Sequence, residues 1–465
     1  MHRMADALGF FKSHKVEILI FVIALLARCL YVGVSIQANG GDVIDTIKGS
    51  DGYYVISQNI LQGNGFSGDN APPYTPNSFR PPLQPYFLAA TAFLFGGYWA
   101  PLVLLLLIGS IVPLLAMRIV SYLFESRKIA IATGILLAIE PISIFFSTVF
   151  YSEMLFMPFF LLAVLYAYKY VQGEVWYHGL FSAAFLGIAT LVKAVTTYLP
   201  IVFVALFLFH FRKELTKKRI VAAVSYIAVF ILVISPWLYR NYREFRTIGV
   251  TSEEGVTLYA VLIPSVLALE NGTTYQQEYK KWIATGIKGP NEATVDLNAE
   301  YVRNAIPILL SHPVGLALLS GNTIISFFTN DGMRDFLDHA GVTLDKTLGR
   351  KPALFLLLSD PKSLFDTIGY YAMKPAILIL VLRVFWFIMT ILFLAGAVRL
   401  VRRQGLTLYS ALAFGSIFYF ALITLTVGLG VNARYRLPVE LFIIPFALYE
   451  LSALKSRFVQ KRLLV

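Results

Sequence analysis

Ionisable side chains are scarce in this 465-residue chain, and those that fall beside apolar runs are the first candidates for chemistry. Asp51 opens the segment SDGYYVISQNILQGNGFS (50–67), in which Val55, Ile56, Ile60 and Leu61 recur at helical spacing. The partial positive charge of a helix start favours a carboxylate, so Asp51 or Ser50 reads as an N-cap and Asp51 equally as a reactive acid. Arg80-Pro81-Pro82 follows as a rigid lead into a second apolar stretch. Lys193, Arg240, Arg243, Arg246, Arg434 and Arg436 are cations at the edges of other apolar runs. Cations gathered at a membrane face call for an anion there, and a polyprenyl phosphate is an anion on a lipid tail. Arginine suits it because a planar guanidinium holds phosphate oxygens bidentately. The bland alternatives are specific: Lys193 can snorkel to headgroups, and Arg243 and Arg246 can be solvated loop charges. Glu153 is either a second acid in a pocket or an interfacial carboxylate satisfied by a basic neighbour. Arg28, Arg118 and Glu140 fall within or near apolar runs, where pairing inside the protein is expected.

The elements that must position these groups are set by composition. Hydrophobic residues make up 57% and charged residues 14% of the chain, and mean hydropathy is +0.69. So few charges cannot cover a water-exposed surface of this size, and the chain reads as a polytopic membrane protein. The net charge of +12 is therefore read by side of the membrane and not as a nucleic-acid footprint. The lone Cys29 lies in an apolar run, so no intrachain disulfide forms.

A helix of about 20 residues crosses a ~30 Å hydrocarbon core. Ten such runs are expected: 16–36, 101–124, 129–146, 154–171, 177–191, 198–211, 220–238, 376–398, 406–429 and 439–454. The first follows Arg3, Lys12 and Lys15; it is too long for a signal peptide and reads as a retained helix. Basic segments 125–128, 212–219, 399–403 and 455–462 then share one side, making both termini cytoplasmic. Stretches 83–97 and 306–328 are apolar too, but a single crossing by either would move every later basic cluster outside. They are expected as interfacial or re-entrant segments. Three units follow: an N-terminal membrane module over 1–240 with outer loop 37–100, an outer region over 241–375, and C-terminal helices over 376–465. No internal repeat is evident. The run Asp331, Asp335, Asp338, His339 and Asp345 has cation-ligand types but matches no metal spacing and reads as a solvated acidic face.

Taken together, these segments resemble the GT-C glycosyltransferases, in the branch of dolichyl-phosphate-mannose protein mannosyltransferases and lipid A aminoarabinose transferases. The resemblance rests on Asp51 heading a first amphipathic helix and Arg80-Pro81-Pro82-Leu83 leading a second. It continues through IEPISIFFSTVFYSEMLF (139–156), GIATLVKAVTTYLP (187–200), ISPWLYRN (234–241) and ARYRLPVELFIIPF (433–446). Many members carry two adjacent acids where this chain has Asp51-Gly52, leaving Asp51 as the single strong acid, with Asp42 and Asp45 in reserve.

The resemblance implies an all-α membrane protein of ten to twelve spans that moves a sugar from a polyprenyl-phosphate donor to a hydroxyl on a protein, lipid or glycan. The implied site lies on the outer face of a plasma membrane. Asp51 would be the base, Arg434, Arg436, Lys193 and Arg80 would hold the donor phosphate, and Glu153 would be a second acid. No cofactor is required; a divalent cation is compatible but not indicated. A transporter or flippase, and a polymerase or ligase using a lipid-diphosphate donor, are the competing readings.

Overall fold

The structure, a computed structural model, describes residues 14–173, 175–290, 292–344, 360–372, 377–430 and 432–463. Its described residues form helices and connections with no strand, as hydrocarbon demands of a backbone that must pair its own polar groups. Helix α1 (Lys15–Ala38) leads to α2 (Tyr53–Leu61) and α3 (Leu83–Phe95), which lie in the first long connection. Next come α4 (Trp99–Phe124), α5 (Arg127–Ala138), α6 (Pro141–Ser147), α7 (Glu153–Gly173), α8 (Trp176–Val192), α9 (Leu199–His210) and α10 (Lys217–Phe245). The second long region holds α11 (Ile263–Glu270), α12 (Tyr275–Ile283), α13 (Asn298–Ser311), α14 (Pro313–Thr329), α15 (Met333–His339) and α16 (Pro361–Tyr371). Helices α17 (Ile377–Gln404), α18 (Leu408–Thr424) and α19 (Glu440–Leu463) follow.

Helices occupy all ten stretches read as spans, but they are not ten equal crossings. Among the described residues seven helices are long and apolar enough to cross a membrane, or up to nine if each of two bent pairs is one span. Helices α8 and α9 have 17 and 12 residues, about 25 and 18 Å. The two stretches that upset the count form a short helix and a bent helix pair. Helix α3 has 13 residues and stops at Gly96, which takes φ +75°. The second stretch breaks at His312 before Pro313, and the axes on either side differ by 103°.

The other bend, 54° between α5 and α6, has a visible cause. Pro141 has no N–H to continue α5, and the Glu140 side chain accepts the Ser143 N–H at 2.5 Å to start a new helix. Arg28, fully buried on α1, fills the break. Its Nη1 donates to the Ala138 carbonyl at 3.1 Å and to Ala24 at 3.0 Å, Nε to Ser147 Oγ at 2.9 Å, and Nη2 to Ser143 Oγ at 2.7 Å. The expected internal pairing of Arg28 and Glu140 is thus met by hydrogen bonds. Gly109 on α4 makes the approach feasible, since a Cβ there would lie 2.3 Å from Ser147 Oγ and 2.7 Å from Arg28 Nε. Elsewhere Arg399 on α17 grips Glu450 on α19 through two hydrogen bonds, at 2.5 and 2.7 Å.

Candidate functional site

The chain reverses direction at Gly49, Ser50, Asp51 and Gly52. Gly49 takes φ +64° against the Tyr151 ring, which a Cβ would approach to 2.5 Å. Gly52, at φ +81°, caps α2 from the left-handed region, and no side chain caps that helix. The capping reading of Asp51 and Ser50 is therefore not what the structure adopts. Ser50 instead meets Tyr151: its N–H donates to the phenol oxygen at 3.1 Å and the two hydroxyls lie 2.7 Å apart. Position 52 takes a backbone conformation that glycine adopts without steric cost.

Released from capping, Asp51 turns to Arg434. Arg434 Nη2 donates to Asp51 Oδ2 while its Nε donates to Glu153 Oε1. The same Glu153 oxygen accepts Lys193 Nζ at 2.6 Å, and Arg80 Nη2 stands 3.9 Å from Asp51 Oδ1. Three cations and two carboxylates thus converge from four parts of the sequence. Each is placed by local chemistry. The Asn432 side chain accepts the Arg434 N–H at 3.0 Å and starts the turn Ala433–Tyr435. Lys193 leaves the end of α8 in extended backbone, φ −147°, and Glu153 opens α7. Asn77 Oδ1 accepts the N–H groups of Phe79 and Arg80 at 3.0 and 3.2 Å. Arg240 donates to the Asn77 carbonyl at 2.8 Å and so anchors the Arg80 loop.

Aromatic rings wall the cluster: the Arg434 guanidinium lies 5.1 Å from the Tyr151 ring and 5.6 Å from Phe146, and Arg80 lies 5.3 Å from Tyr53. Burial alone would push the Asp51 carboxyl up, but Arg434 and Arg80 outweigh it and hold it down at about 2. Burial works against the Arg434 charge, and Asp51 with Glu153 more than compensates, raising its pKa. Among the described residues Arg80 Nε and Glu153 Oε2 are buried with no hydrogen-bond partner. Such unmet groups cost free energy unless a ligand or water joins them.

Five of the six residues singled out from the sequence meet here. Arg436 does not. It is fully buried and donates to Glu440 at 2.9 Å and to the carbonyls of Phe327 and Asn330 at 3.1 and 2.7 Å. Its guanidinium lies 3.6 Å from the Trp386 ring centroid. Two residues along a turn with three residues per rotation point to different faces, which separates Arg434 from Arg436. Asp42 and Asp45 are also apart: Asp42 accepts the Asp45 N–H at 2.9 Å, and Asp45 pairs with Lys48 at 2.6 Å. Arg243 and Arg246 are exposed. Asp331 pairs with Arg383 at 3.0 Å, Asp345 lies outside the described residues, and among the described residues no three His, Cys, Asp or Glu side chains are grouped to hold a metal ion. Sequence reasoning missed Glu253, whose charge is felt by both Arg80 and Lys193. Ser252 beside it donates its N–H to the Ser78 carbonyl at 3.0 Å. No local pattern marks Glu253, because a chain return after α10 brings it there.

Residues 79–239 match the family model of dolichyl-phosphate-mannose-protein mannosyltransferase. Two solved structures of the Archaeoglobus fulgidus oligosaccharyltransferase align with 98% of this chain, each at a TM-score of 0.50 and 15% identity. One is tethered with an acceptor peptide, and the other is in complex with an inhibitory peptide and a dolichol-phosphate. The alignments cover 51% and 52% of those chains, so this chain spans about half their length. No curated protein matches. The fold is shared with that archaeal oligosaccharyltransferase, and the mannosyltransferase family match agrees with the resemblance read from the sequence.

Proposed function

We propose that the protein is a glycosyltransferase that moves a sugar from a polyprenyl-phosphate carrier to a hydroxyl acceptor, at the membrane face where Asp51 lies. The observation that carries this reading is Arg434 held between Asp51 and Glu153, with Arg80 and Lys193 beside it. Cations here are in place for an anion, and an acid is within reach of the same point. The dolichyl-phosphate-mannose family match over 79–239 and the dolichol-phosphate in the archaeal structure support a lipid-phosphate donor.

The donor needs no strong acid, because its leaving group is already a phosphate. Cations stabilise its departure. As the anomeric carbon–oxygen bond breaks, its electron pair goes to the phosphate held by Arg434, Lys193 and Arg80. The acceptor oxygen bonds to the anomeric carbon from the opposite side and loses its proton to Asp51, through an oxocarbenium-like transition state. One displacement inverts the anomeric configuration. A phosphate that draws Arg434 toward itself also weakens its hold on Asp51, so donor binding would raise the basicity of the carboxylate when it is needed. Glu153 keeps Lys193 and Arg434 oriented.

The test compares cells carrying the intact protein with cells carrying Asp51→Asn, by mass spectrometry of polyprenyl-phosphate sugars and envelope glycans. Accumulated lipid-phosphate monosaccharide and a glycan lacking one sugar are expected, with a rate loss of about 10²–10⁴-fold for the purified variant. Near-normal turnover in Asp51→Asn removes Asp51 as the base. An unchanged lipid and glycan profile in cells that require the pathway removes the transferase reading.

A further inference from the structure

The helices that present Glu153 and Lys193 at one end frame an unassigned feature at the other. Along α7, Ala167 to Val171 lie 14 to 18 residues beyond Glu153, about 21–27 Å away. Trp176 opens α8, whose far end leads into Lys193. Between these ends and α9, α10 and α18 lies a cavity of about 320 Å³, lined by Ala167, Tyr170, Phe203, Phe207, Tyr226 and Leu412 among others. Nearly all of its lining is apolar, and Lys218 stands at its edge. A second, open cavity of about 580 Å³ is lined by Lys213, Glu214, Leu215, Thr216, Lys218 and Arg219. Lys218 lines both.

An apolar compartment joined through a cation to a polar one has the shape of an amphiphile with a negative head. The charges agree. Glu214 is paired with Arg219 at 3.5 Å, and Lys213 and Lys218 are both exposed. The depth agrees as well. Helix α9, at about 18 Å, is shorter than a ~30 Å hydrocarbon core. It ends at His210, and Arg212 and Lys213 follow in the turn after it, cations at the level where polar heads lie. Trp176, 67% exposed at the rim, is the residue type that settles at headgroup level.

We infer that this double cavity binds an anionic phospholipid of the leaflet opposite the charge cluster, its phosphate at Lys213 and Lys218 and an acyl chain in the groove between α7 and α10. The site is independent of the transferase reading, and its test uses no turnover. The full chain is placed in phosphatidylcholine nanodiscs containing brominated phosphatidylglycerol or, separately, brominated phosphatidylcholine. Quenching of Trp176 is taken as the difference from Trp176→Phe. Saturable quenching by the anionic lipid at mole fractions where the zwitterionic one is ineffective is expected. Lys218→Glu should lower that preference about five-fold or more. Ala222→Phe, which fills the groove and leaves the cations intact, should abolish the saturable component; thermal unfolding midpoints show that both variants fold. Equal quenching by the two lipids, or a preference unchanged in both variants, overturns the proposal. Displacement by polyprenyl phosphate but not by unlabelled phosphatidylglycerol overturns the phospholipid assignment.

Discussion

Arg434 is held by two carboxylates at once, and a guanidinium so placed has a choice to make when a third anion arrives. Against the upward push of burial, Arg434 and Arg80 hold the Asp51 carboxyl down at about 2. Its folded value lies below the ordinary carboxylate value of 3.8, so the pairing stabilises the fold at every pH above that value. It is lost only as the pH falls through about 2. On the proposed mechanism the consequence for turnover is separable by kinetics. Since kcat/KM reports the free enzyme and kcat the occupied one, kcat/KM should show no Asp51 titration above about pH 4. An acid limb in kcat should appear at higher pH, where the phosphate has drawn Arg434 away. Initial rates of the purified protein with a synthetic polyprenyl-phosphate sugar measure both, and identical acid limbs in the two profiles would count against the exchange of partners. Arg436 shows the other fate of a buried arginine: with its carboxylate, two carbonyls and an indole ring in contact, it serves packing.

At the scale of elements, the break between α5 and α6 matters because it frees backbone groups deep in the helical body. Arg28 reaches from α1 to the Ala138 carbonyl and two serines of α6, so three helices share one hydrogen-bonded node. Helix α6 leads through Phe146 and Tyr151, which face Arg434, into Glu153. The node therefore positions one wall of the charge cluster. Gly109→Ala should push Ser147 and Arg28 apart, at a cost of about 1–3 kcal/mol as for other overpacked cores. A lower midpoint of thermal unfolding in detergent is the expected readout, and an unchanged midpoint would show that the node relaxes freely. A composition count does not reveal this node, since Arg28 taken alone looks like a misplaced charge in a span.

For the whole molecule, the two ends of the bundle differ in charge chemistry. Helix α18 separates the turn after Arg402 and Arg403 from the approach to Arg434 by 17 residues, about 25 Å. One end thus carries basic residues in connections, and the other carries cations paired with buried acids together with the exposed Arg243 and Arg246. By the positive-inside rule we propose that the first end is cytoplasmic. In a Cys29→Ser background, Arg402→Cys should resist a membrane-impermeant maleimide in intact cells and react after permeabilisation. Asn70→Cys, exposed in the first long connection, should react from outside. Labelling of Arg402→Cys in intact cells would invert the topology and place Asp51 in the cytoplasm.

Length, hydropathy and the placement of basic residues were sufficient by themselves to define a helical membrane protein. A hydrocarbon solvent leaves the backbone few options, and its demands are written residue by residue. Asp51, Arg80, Glu153, Lys193 and Arg434 were legible for a related reason, since ionisable groups beside apolar runs are costly and stand out. What the linear chain could not specify was which of them touch. That Gly52 at φ +81° releases Asp51 from capping, that Arg434 joins Asp51 to Glu153 while Arg436 turns away, and that Ser252 meets the Ser78 carbonyl are results of tertiary packing. The Asp51–Arg434 contact joins residues 383 positions apart, and at that separation only the packed arrangement of the helices decides which partners meet.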